Sequence, residues 1–281
     1  MMKIGIVGNG YVGQATALLE CDDLEVLAYD TDKSKCNPPN LKLEDLRSCD
    51  YLFVCVPTPM TERGEPVTDI VEDCVANLLL MGYDKSRIIL KSTVPVGTSE
   101  RLGVMFMPEF LTEGKWKEDF INHKNWILGT NERDEKIRDD IYEIFSLAYQ
   151  AGKITHSPNI LFCTTQEAEL IKYVRNCFLA TKVSFFNEIN EFCLKNSISF
   201  DKVRELACLD SRVGCSHTNV PGPDGQAGFG GTCFPKDINS LLHQMDTIAM
   251  DSYIIQAVIK RNEEQDRAEQ DWKLNRGRAV I

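Results

Sequence analysis

The chain has 281 residues and a formal net charge of −11 at pH 7. This acidic balance argues against a general nucleic-acid or anionic-membrane surface, because both need an excess of Lys and Arg. Hydrophobic residues at 43% and charged residues at 26% are ordinary globular values. The length exceeds what one small core needs and predicts two packed units.

The eleven cysteines are odd in number and include no Cys-x-x-Cys pair. This pattern predicts mainly reduced core thiols in a cytoplasmic protein, and no metal site. Met1 to Val7 lacks the basic and long apolar regions of a signal peptide, and no run reaches the about 18 apolar residues of a membrane span. We therefore expect a soluble, intracellular protein with neither a nucleic-acid nor a membrane partner.

A glycine motif follows the first predicted strand directly. Lys3 to Val7 is apolar, and Gly8-Asn9-Gly10-Tyr11-Val12-Gly13 leads from it into the helix-compatible Ala15 to Glu20. In this setting the three glycines allow a tight turn and close approach to a pyrophosphate at a helix N-terminus. The alternative is an ordinary glycine-containing turn.

An acidic residue ends the second predicted strand. Glu25 to Tyr29 is followed by Asp30, whose carboxylate can accept hydrogen bonds from both ribose hydroxyls of an adenosine. The same charge repels a 2′-phosphate. The motif therefore favours NAD over NADP.

Strands and helices continue to alternate through the first half, residues 1–155, which we predict to be an α/β Rossmann-like NAD-binding domain with a parallel sheet. Ligands then collect at the carboxyl ends of the strands, where Val56-Pro57-Thr58-Pro59 and Ser92-Thr93-Val94-Pro95 are placed. The simpler interpretation of both is a proline-terminated loop. The further predicted elements are Tyr51–Val56, Asp69–Met81, Arg87–Lys91, Trp126–Gly129 and Glu132–Tyr149.

Residues 156–281 are predicted to be all-helical. Thr164 and Glu167 form a plausible capping box, and the stretch from there to about Lys195 contains neither Gly nor Pro. Lys172 and Asn176 lie four residues apart and so share a helix face. That face is either a solvated surface or part of a site.

A cysteine stands in an unusual loop near the end of the chain. Asp210 to Ala227 lacks periodicity and leads into Gly-Phe-Gly-Gly-Thr-Cys-Phe-Pro-Lys-Asp at 228–237, with a helix predicted over Ile238–Met245. Gly230 and Gly231 permit close backbone approach. A thiol near cations or a helix N-terminus has a lowered pKa, so Cys233 is a candidate thiolate. An inert loop cysteine is the alternative.

Seven blocks, in family order over nearly the whole chain, resemble the nucleotide-sugar dehydrogenase family, whose members oxidise UDP-glucose or GDP-mannose. The resemblance implies a Rossmann-like domain followed by an all-α central domain, NAD as cofactor, a nucleotide-sugar substrate and a homodimer formed through the long helix near residues 164–195. The blocks are GIVGNGYVG, VPTP, KSTVPVG, PEFLTEG, EAELIKYVRNCFLATKVSFFNE, DSRVG and GFGGTCFPKD.

The resemblance also implies a four-electron oxidation at C6 of the sugar. Cys233 captures the aldehyde as a thiohemiacetal, which is oxidised to a thioester and hydrolysed. Lys172 then assists proton transfer and stabilises the oxyanion, with Asn176 as a second donor. Asp237 and Thr93 hold water, and Glu109 is the base for hydrolysis.

Ligand contacts are implied in the same way. Arg212 is expected to reach the sugar of the neighbouring subunit, which makes dimerisation part of the site. The expected NAD contacts are Gly8, Gly10, Tyr11, Val12, Gly13, Asp30, Lys35, Pro57, Thr58, Thr93, Glu113 and Lys236. The expected substrate contacts are Phe110, Leu111, Glu113, Lys172, Asn176, Arg212, Phe229, Gly230 and Gly231.

The sequence departs from the family in two places. Only Thr98 to Met107 connects KSTVPVG to PEFLTEG, where the family has a longer helix and another strand, so we expect a trimmed sheet. The chain also stops at Ile281, where the family continues into a second Rossmann-like domain. The sequence thus leaves open how the nucleotide of the substrate is held.

Two other functions compete. The β-hydroxyacid dehydrogenase group has a similar two-domain build and a Lys followed one turn later by Asn, but it performs a two-electron oxidation and needs no cysteine. The other alternative is a relative that binds NAD without turnover. Cys233 in its glycine loop favours the four-electron enzyme, and its retention together with Lys172, Asn176 and Asp237 weighs against lost activity.

Overall fold

The computed structural model describes residues 1–131 and 135–281. They divide into two compact units. The first comprises Met1–Thr58 and Thr68–Lys172, and the second comprises Pro59–Val67 and Tyr173–Ile281.

The first unit is built on a sheet of seven strands within the described residues, in the order β2-β1-β3-β4-β5-β6-β7. All neighbouring pairs are parallel except β5 with β6, which is antiparallel. The prediction of a parallel sheet is therefore wrong for this one pair. The strands are β1 Met2–Val7, β2 Leu24–Tyr29, β3 Tyr51–Val54, β4 Ile88–Leu90, β5 Met105–Phe106, β6 Asn125–Gly129 and β7 Asn159–Cys163.

Two strands were not resolved by the sequence patterns. β5 and a helix of five residues both fall within Thr98–Met107, so this segment keeps a helix and a strand in short form. β7 pairs with β6 along its whole length. The sheet thus extends past residue 155, where the sequence analysis places the domain boundary.

Nine α-helices occur in the described parts of the chain. Residues 132–134, with which the predicted helix Glu132–Tyr149 begins, lie outside the described residues. The helices are α1 Tyr11–Ala17, α2 Asp69–Leu80, α3 Thr98–Leu102, α4 Trp116–Ile121, α5 Glu135–Gln150, α6 Thr165–Lys195, α7 Phe200–Ala207, α8 Phe234–Thr247 and α9 Tyr253–Arg261.

Both faces of the sheet are covered, which explains why its central strands are apolar throughout rather than alternating. On one face, Phe53 of β3 belongs to a cluster with Leu19 and with Phe145 of α5. On the other face, its neighbour Leu52 belongs to a cluster with Val75 of α2. All four residues of β3 are buried. The ends of the central strands are therefore supported by a packed core on both faces of the sheet.

Helix α6 begins as predicted. The backbone N–H of Thr164 donates to Glu167 Oε2 at 2.8 Å, and the N–H of Glu167 donates to Thr164 Oγ1 at 3.2 Å. This reciprocal pair is a capping box. The helix then continues for 31 residues to Lys195. Across residues 1–131 and 135–281, no helix is both long and apolar enough to cross a membrane.

The second unit has a helical core. Tyr173 and Cys177 of α6 pack with Phe229, with Ile238 of α8 and with Ile259 of α9. Residues 210–227 contain no helix or strand, as the sequence predicts. Helix α8 begins at Phe234, four residues before the predicted start, and carries a proline in its first turn. Proline is favoured there because its missing N–H would have no partner inside the helix.

Candidate active site

The glycine turn after β1 leaves one side open. Gly8 has a positive φ of 93°, and a Cβ there would meet the carbonyl oxygen of Cys55 at 2.8 Å. A Cβ at Gly13 would meet the carbonyl oxygen of Gly8 at 2.2 Å, so both positions require glycine. A Cβ at Gly10 would meet nothing within 4 Å. Gly10 is thus free for the close approach of a ligand, as a dinucleotide cradle needs.

Asp30 lies against this turn. Its Oδ2 accepts the backbone N–H of Asn9 at 2.7 Å, and its Oδ1 accepts the N–H of Asp32 at 2.9 Å. The side chain of Asn9 in turn donates to the carbonyl of Lys35 at 2.7 Å. The carboxylate is therefore fixed beside the glycines. These residues fit NAD, which supplies a hydride acceptor when bound.

The loops at the carboxyl ends of β3 and β4 are joined. Ser92 Oγ donates to the carbonyl of Val56 at 2.7 Å. Pro57 is exposed, and Thr58 and Thr93 are half-buried. These predicted ligand contacts therefore flank one hydrogen bond between adjacent strand ends, where open α/β sheets bind ligands.

Lys172 and Glu109 form a buried ion pair. Lys172 Nζ donates to Glu109 Oε1 at 2.7 Å and to the Glu109 carbonyl oxygen at 2.6 Å. Glu109 Oε2 accepts the backbone N–H of Leu111 at 2.8 Å. Lys172 Nζ also lies 5.7 Å from the centre of the Phe110 ring. Because burial strengthens such contacts, the two side chains are firmly held against each other.

The remaining predicted ligand contacts of the first unit are more exposed to solvent than Lys172 and Glu109. Tyr11 is exposed and its ring centre lies 6.4 Å from that of Trp116. Val12 is half-buried, and Glu113 is exposed. Lys35 is exposed and its Nζ lies 3.4 Å from Asp32 Oδ2.

Asn176 and Asp237 meet in the second unit. Asn176 Nδ2 donates to Asp237 Oδ2 at 2.5 Å, and Lys236 Nζ donates to Asp237 Oδ1 at 2.5 Å. Asp237 and Asn176 are buried, and Lys236 is half-buried. Spacing along α6 thus puts Asn176 one turn after Lys172, with a carboxylate as its partner.

Cys233 stands directly before α8. It is the N-cap residue of that helix and is exposed. Its Sγ lies 3.8 Å from Thr232 Oγ1. A helix N-terminus stabilises a nearby anion, so an accessible cysteine at this position is a candidate nucleophile.

All eleven cysteines are described, and none of them forms a disulfide bond. Cys233 and Cys215 are the two exposed ones. Burial raises the pKa of Cys55 to about 12 and that of Cys74 to about 11. These two thiols therefore stay protonated, as expected of core cysteines.

The glycine loop before Cys233 is held by polar groups on both sides. Phe229, which is buried, donates its N–H to Asn262 Oδ1 at 2.8 Å and accepts from Asn262 Nδ2 at 2.9 Å. A Cβ at Gly230 would meet the guanidinium carbon of Arg267 at 2.5 Å. Gly231 is exposed with a φ of 71°. The loop is thus rigid up to the nucleophile candidate.

Arg212 lies on the surface. Its Nε and Nη2 donate to Asp210 at 3.0 and 2.6 Å, so its guanidinium is engaged by its own loop. Its expected contact with a neighbouring subunit stays a prediction.

Sequence reasoning missed four residues that support these groups. Glu169 is fully buried and accepts the N–H of Gly97 at 2.6 Å and that of Ser99 at 2.8 Å. The sequence contains a pattern that could have identified Glu169, because this residue precedes Lys172 by three residues and so shares its face of α6. Asn187, whose Oδ1 accepts the N–H of Gly228 at 3.1 Å, had no local signal, and neither had Asn262 and Arg267.

A Rossmann-type sheet with a glycine turn and an acidic residue after β2, followed by a helical unit, defines a two-domain NAD-dependent dehydrogenase. Two family models match the sequence. The NAD binding domain of the UDP-glucose/GDP-mannose dehydrogenase family matches residues 39–146, and the central domain of that family matches residues 166–264. The chain belongs to this family of NAD-dependent nucleotide-sugar dehydrogenases.

Individual relatives agree with the family models. UDP-glucose 6-dehydrogenase of Rickettsia prowazekii (strain Madrid E) is 30% identical over 93% of this chain and 67% of its own length. UDP-glucose 6-dehydrogenase TuaD of Bacillus subtilis (strain 168) is 31% identical, over 94% and 64% respectively. The chain thus spans about two thirds of these relatives.

Solved structures confirm the fold. A UDP-glucose dehydrogenase from Pyrobaculum islandicum superimposes with a TM-score of 0.78 at 26% identity, covering 98% of this chain and 72% of the other. A 3-hydroxyisobutyrate dehydrogenase from Mycobacterium tuberculosis reaches a TM-score of 0.69 at 17% identity, covering 95% of each chain. This second likeness shows the fold alone.

Proposed function

We propose that the protein oxidises the C6 alcohol of a nucleotide sugar to the carboxylate with two NAD, and that UDP-glucose is the first substrate to test. One observation carries the proposal: Cys233 is an exposed cysteine at the N-terminus of α8, after a glycine loop that is hydrogen-bonded to Asn262 and packs closely against Arg267. The UDP-glucose 6-dehydrogenases among the relatives support the substrate.

The first oxidation removes a hydride from C6 to NAD and a proton from the hydroxyl, which leaves an aldehyde. An aldehyde carbon must become tetrahedral before it can lose a second hydride. The Cys233 thiolate attacks it and forms a C–S bond, and loss of the second hydride to another NAD converts the thiohemiacetal into a thioester. Water then breaks the C–S bond and releases the carboxylate.

Lys172 and Glu109 have different roles in this proposal. The ammonium of Lys172 stabilises negative charge on the C6 oxygen, and the Glu109 carboxylate takes a proton from the hydrolytic water. Their 2.7 Å contact supports this assignment, because it places the two side chains within proton-transfer distance of one another. Thr93 is proposed to help hold the water.

Asn176 is proposed to be the second hydrogen-bond donor to the oxyanion, and Asp237 is proposed to hold a further water. Asn176 uses one N–H on Asp237 Oδ2, which leaves its other N–H for an oxyanion. Lys236 donates to Asp237 Oδ1 and so holds that carboxylate in place.

A homodimer through α6 is part of the proposal. Val174, Phe178, Phe185 and Phe192 are spaced by four, seven and seven residues and are all more than half exposed. This spacing makes one continuous apolar stripe, the α6 stripe, of the kind that packs against a second helix.

The test is the yield of NADH from limiting UDP-glucose with excess NAD, repeated with GDP-mannose and a 3-hydroxy acid. Two NADH per nucleotide sugar are expected. One NADH per hydroxy acid would assign a two-electron oxidation instead. NAD binding without any NADH would select the non-catalytic alternative.

A further inference from the structure

A second lysine is buried close to the Lys172–Glu109 pair. Lys91 follows β4 directly, and only 4% of it is exposed. No side-chain hydrogen bond or ion pair of its Nζ is found in residues 1–131 and 135–281. A buried ammonium without a partner is strongly unfavourable, whereas a neutral amine is tolerated. Lys91 has no part in the reaction proposed above.

Lys91 lines a small cavity of about 20 Å³. Glu109 and Trp126 line the same cavity, and Nε1 of Trp126 is buried without a hydrogen-bond acceptor among the described residues. A cavity of this volume holds about one water molecule, and a buried water needs two to four polar partners. The amine, the carboxylate and the indole N–H supply three.

Burial favours a neutral Lys91. Burial is the largest effect on its pKa and lowers it, Cys55 and Glu109 oppose this by less, and the charge of Lys172 adds the smallest effect, again a lowering. His123 also lines the cavity, with its Nε2 2.9 Å from the carbonyl oxygen of Asn125. Lys172 is already paired with Glu109, whereas Lys91, when neutral, has a lone pair to offer.

We infer that Lys91 is the proton acceptor behind Glu109, and that one water in this cavity joins the two side chains. The inference rests on the proposed function, because it concerns the hydrolysis of the Cys233 thioester. It assigns a new site, a one-water relay, to residues of the first unit.

The proton balance of the step is complete. The attacking water forms a C–O bond, and one of its protons passes to the Glu109 carboxylate. That proton moves through the cavity water to the Lys91 amine, which becomes an ammonium. The C–S bond breaks, the second proton of the attacking water goes to the Cys233 sulfur, and the sugar leaves as a carboxylate. No oxidant or reductant is consumed.

The test compares wild-type protein with Lys91→Met, which keeps the length of the side chain and removes the amine. UDP-glucose and excess NAD are mixed with each protein, NADH is followed by stopped flow, and the intact protein mass is recorded during turnover. We expect Lys91→Met to release two NADH per active site at the wild-type rate, and then to slow at least tenfold. The acyl mass should accumulate on Cys233.

The control is Lys124→Met, an exposed lysine of the same unit, which should keep the wild-type rate and show no adduct. Trp126→Phe removes one partner of the water and should slow the same step by a smaller factor, which keeps the test valid if Lys91→Met fails to fold. The relay is overturned if steady-state turnover of Lys91→Met stays within twofold of wild type. It is also overturned if the initial burst of NADH slows by the same factor as the steady-state turnover, because the loss then lies before hydrolysis. A wild-type protein that forms no NADH refutes the proposed function before any variant is compared.

Discussion

Asn176 of α6 and Asp237 of α8 are joined by a buried hydrogen bond of 2.5 Å between residues 61 positions apart in the chain. Asp237 lies one helical turn after Cys233, whose carbonyl oxygen accepts the Asp237 N–H at 2.9 Å. The bond therefore ties the first turn of α8, and with it the cysteine, to the long helix. Such a buried contact is costly to break, since a lost partner leaves an unsatisfied charge.

Replacement of Cys233 by serine is expected to abolish acid formation while NAD affinity stays unchanged. A hydroxyl at this position is a far weaker nucleophile than a thiolate, and the cysteine is remote in sequence from the glycine turn. NADH yield and NAD titration by calorimetry measure the two effects. Cys215→Ser, at the other exposed cysteine, is the control and should retain activity. Unchanged turnover of the Cys233→Ser variant would contradict the covalent mechanism.

Asp30 is expected to make NAD at least tenfold better than NADP in kcat/KM, a difference of about 1.4 kcal/mol. Its carboxylate is fixed by the N–H groups of Asn9 and Asp32, so it cannot swing away from a 2′-phosphate. Asp30→Asn keeps the acceptor and removes the charge, and should reduce the preference to a few-fold. Asp32→Asn is the control: it removes a charge two residues later in the chain and should leave the preference for NAD over NADP unchanged. Equal use of both cofactors by the wild type would refute the assignment.

The elements and motifs with local signals could be predicted from the sequence. The glycine turn, the capping box of α6 and the Lys172–Asn176 spacing each depend on residues within a few positions of one another. Helix α8 was placed four residues late, because Phe234 and Pro235 resemble a loop. Proline in a first turn is compatible with both structures.

The contacts that fix the site could not be predicted, because they join distant parts of the chain. Lys172 and Glu109 are 63 residues apart, and Phe229 and Asn262 are 33 apart. No periodicity marks such pairs. Strand β5, with only two residues, is likewise too short to carry an alternating pattern, so its antiparallel pairing with β6 could emerge only from the structure.

Gly230→Ala is expected to cost about 1–3 kcal/mol of unfolding free energy, the usual range for overpacking. Its Cβ would meet the Arg267 guanidinium, which cannot retreat because Asp224 and Asp271 each hold it at 2.7 Å. Urea denaturation measures the loss. Gly114→Ala is the control, since a Cβ there meets nothing within 4 Å. Equal stability of both variants would show that the loop is not held by Arg267.

Glu169 is expected to make stability depend on pH in a direction opposite to that of a surface carboxylate. Burial raises its pKa above the ordinary value of 4.5, against the opposing hydrogen bonds of Ser99 and Gly97. A raised pKa in the folded state gives a contribution that is complete below the unfolded pKa and is lost as pH rises. The stability advantage of wild type over Glu169→Gln should therefore shrink as pH rises above about 4.5.

Glu167→Gln is the matched control for this prediction. Hydrogen bonds from Thr164 lower the pKa of Glu167, so its contribution is present above the unfolded pKa and is lost as pH falls. Urea denaturation of the three proteins across pH 3 to 7 separates the two cases. A wild-type advantage over Glu169→Gln that grows with pH would contradict the raised pKa.

The α6 stripe is expected to form a homodimer, and Phe178→Glu should convert it to a monomer at micromolar concentration. A charge in the middle of this stripe would be buried without a partner on association, at a cost of several kcal/mol. Multi-angle light scattering measures the mass. Ile254→Glu, on α9 and about equally exposed, is the control and should remain dimeric. A wild-type monomer would refute both the dimer and the expectation that Arg212 acts on the substrate of a neighbouring subunit. If the dimer forms, loss of turnover in both Phe178→Glu and Arg212→Ala would support that shared site, whereas full activity of monomeric Phe178→Glu would assign every catalytic contact to one chain.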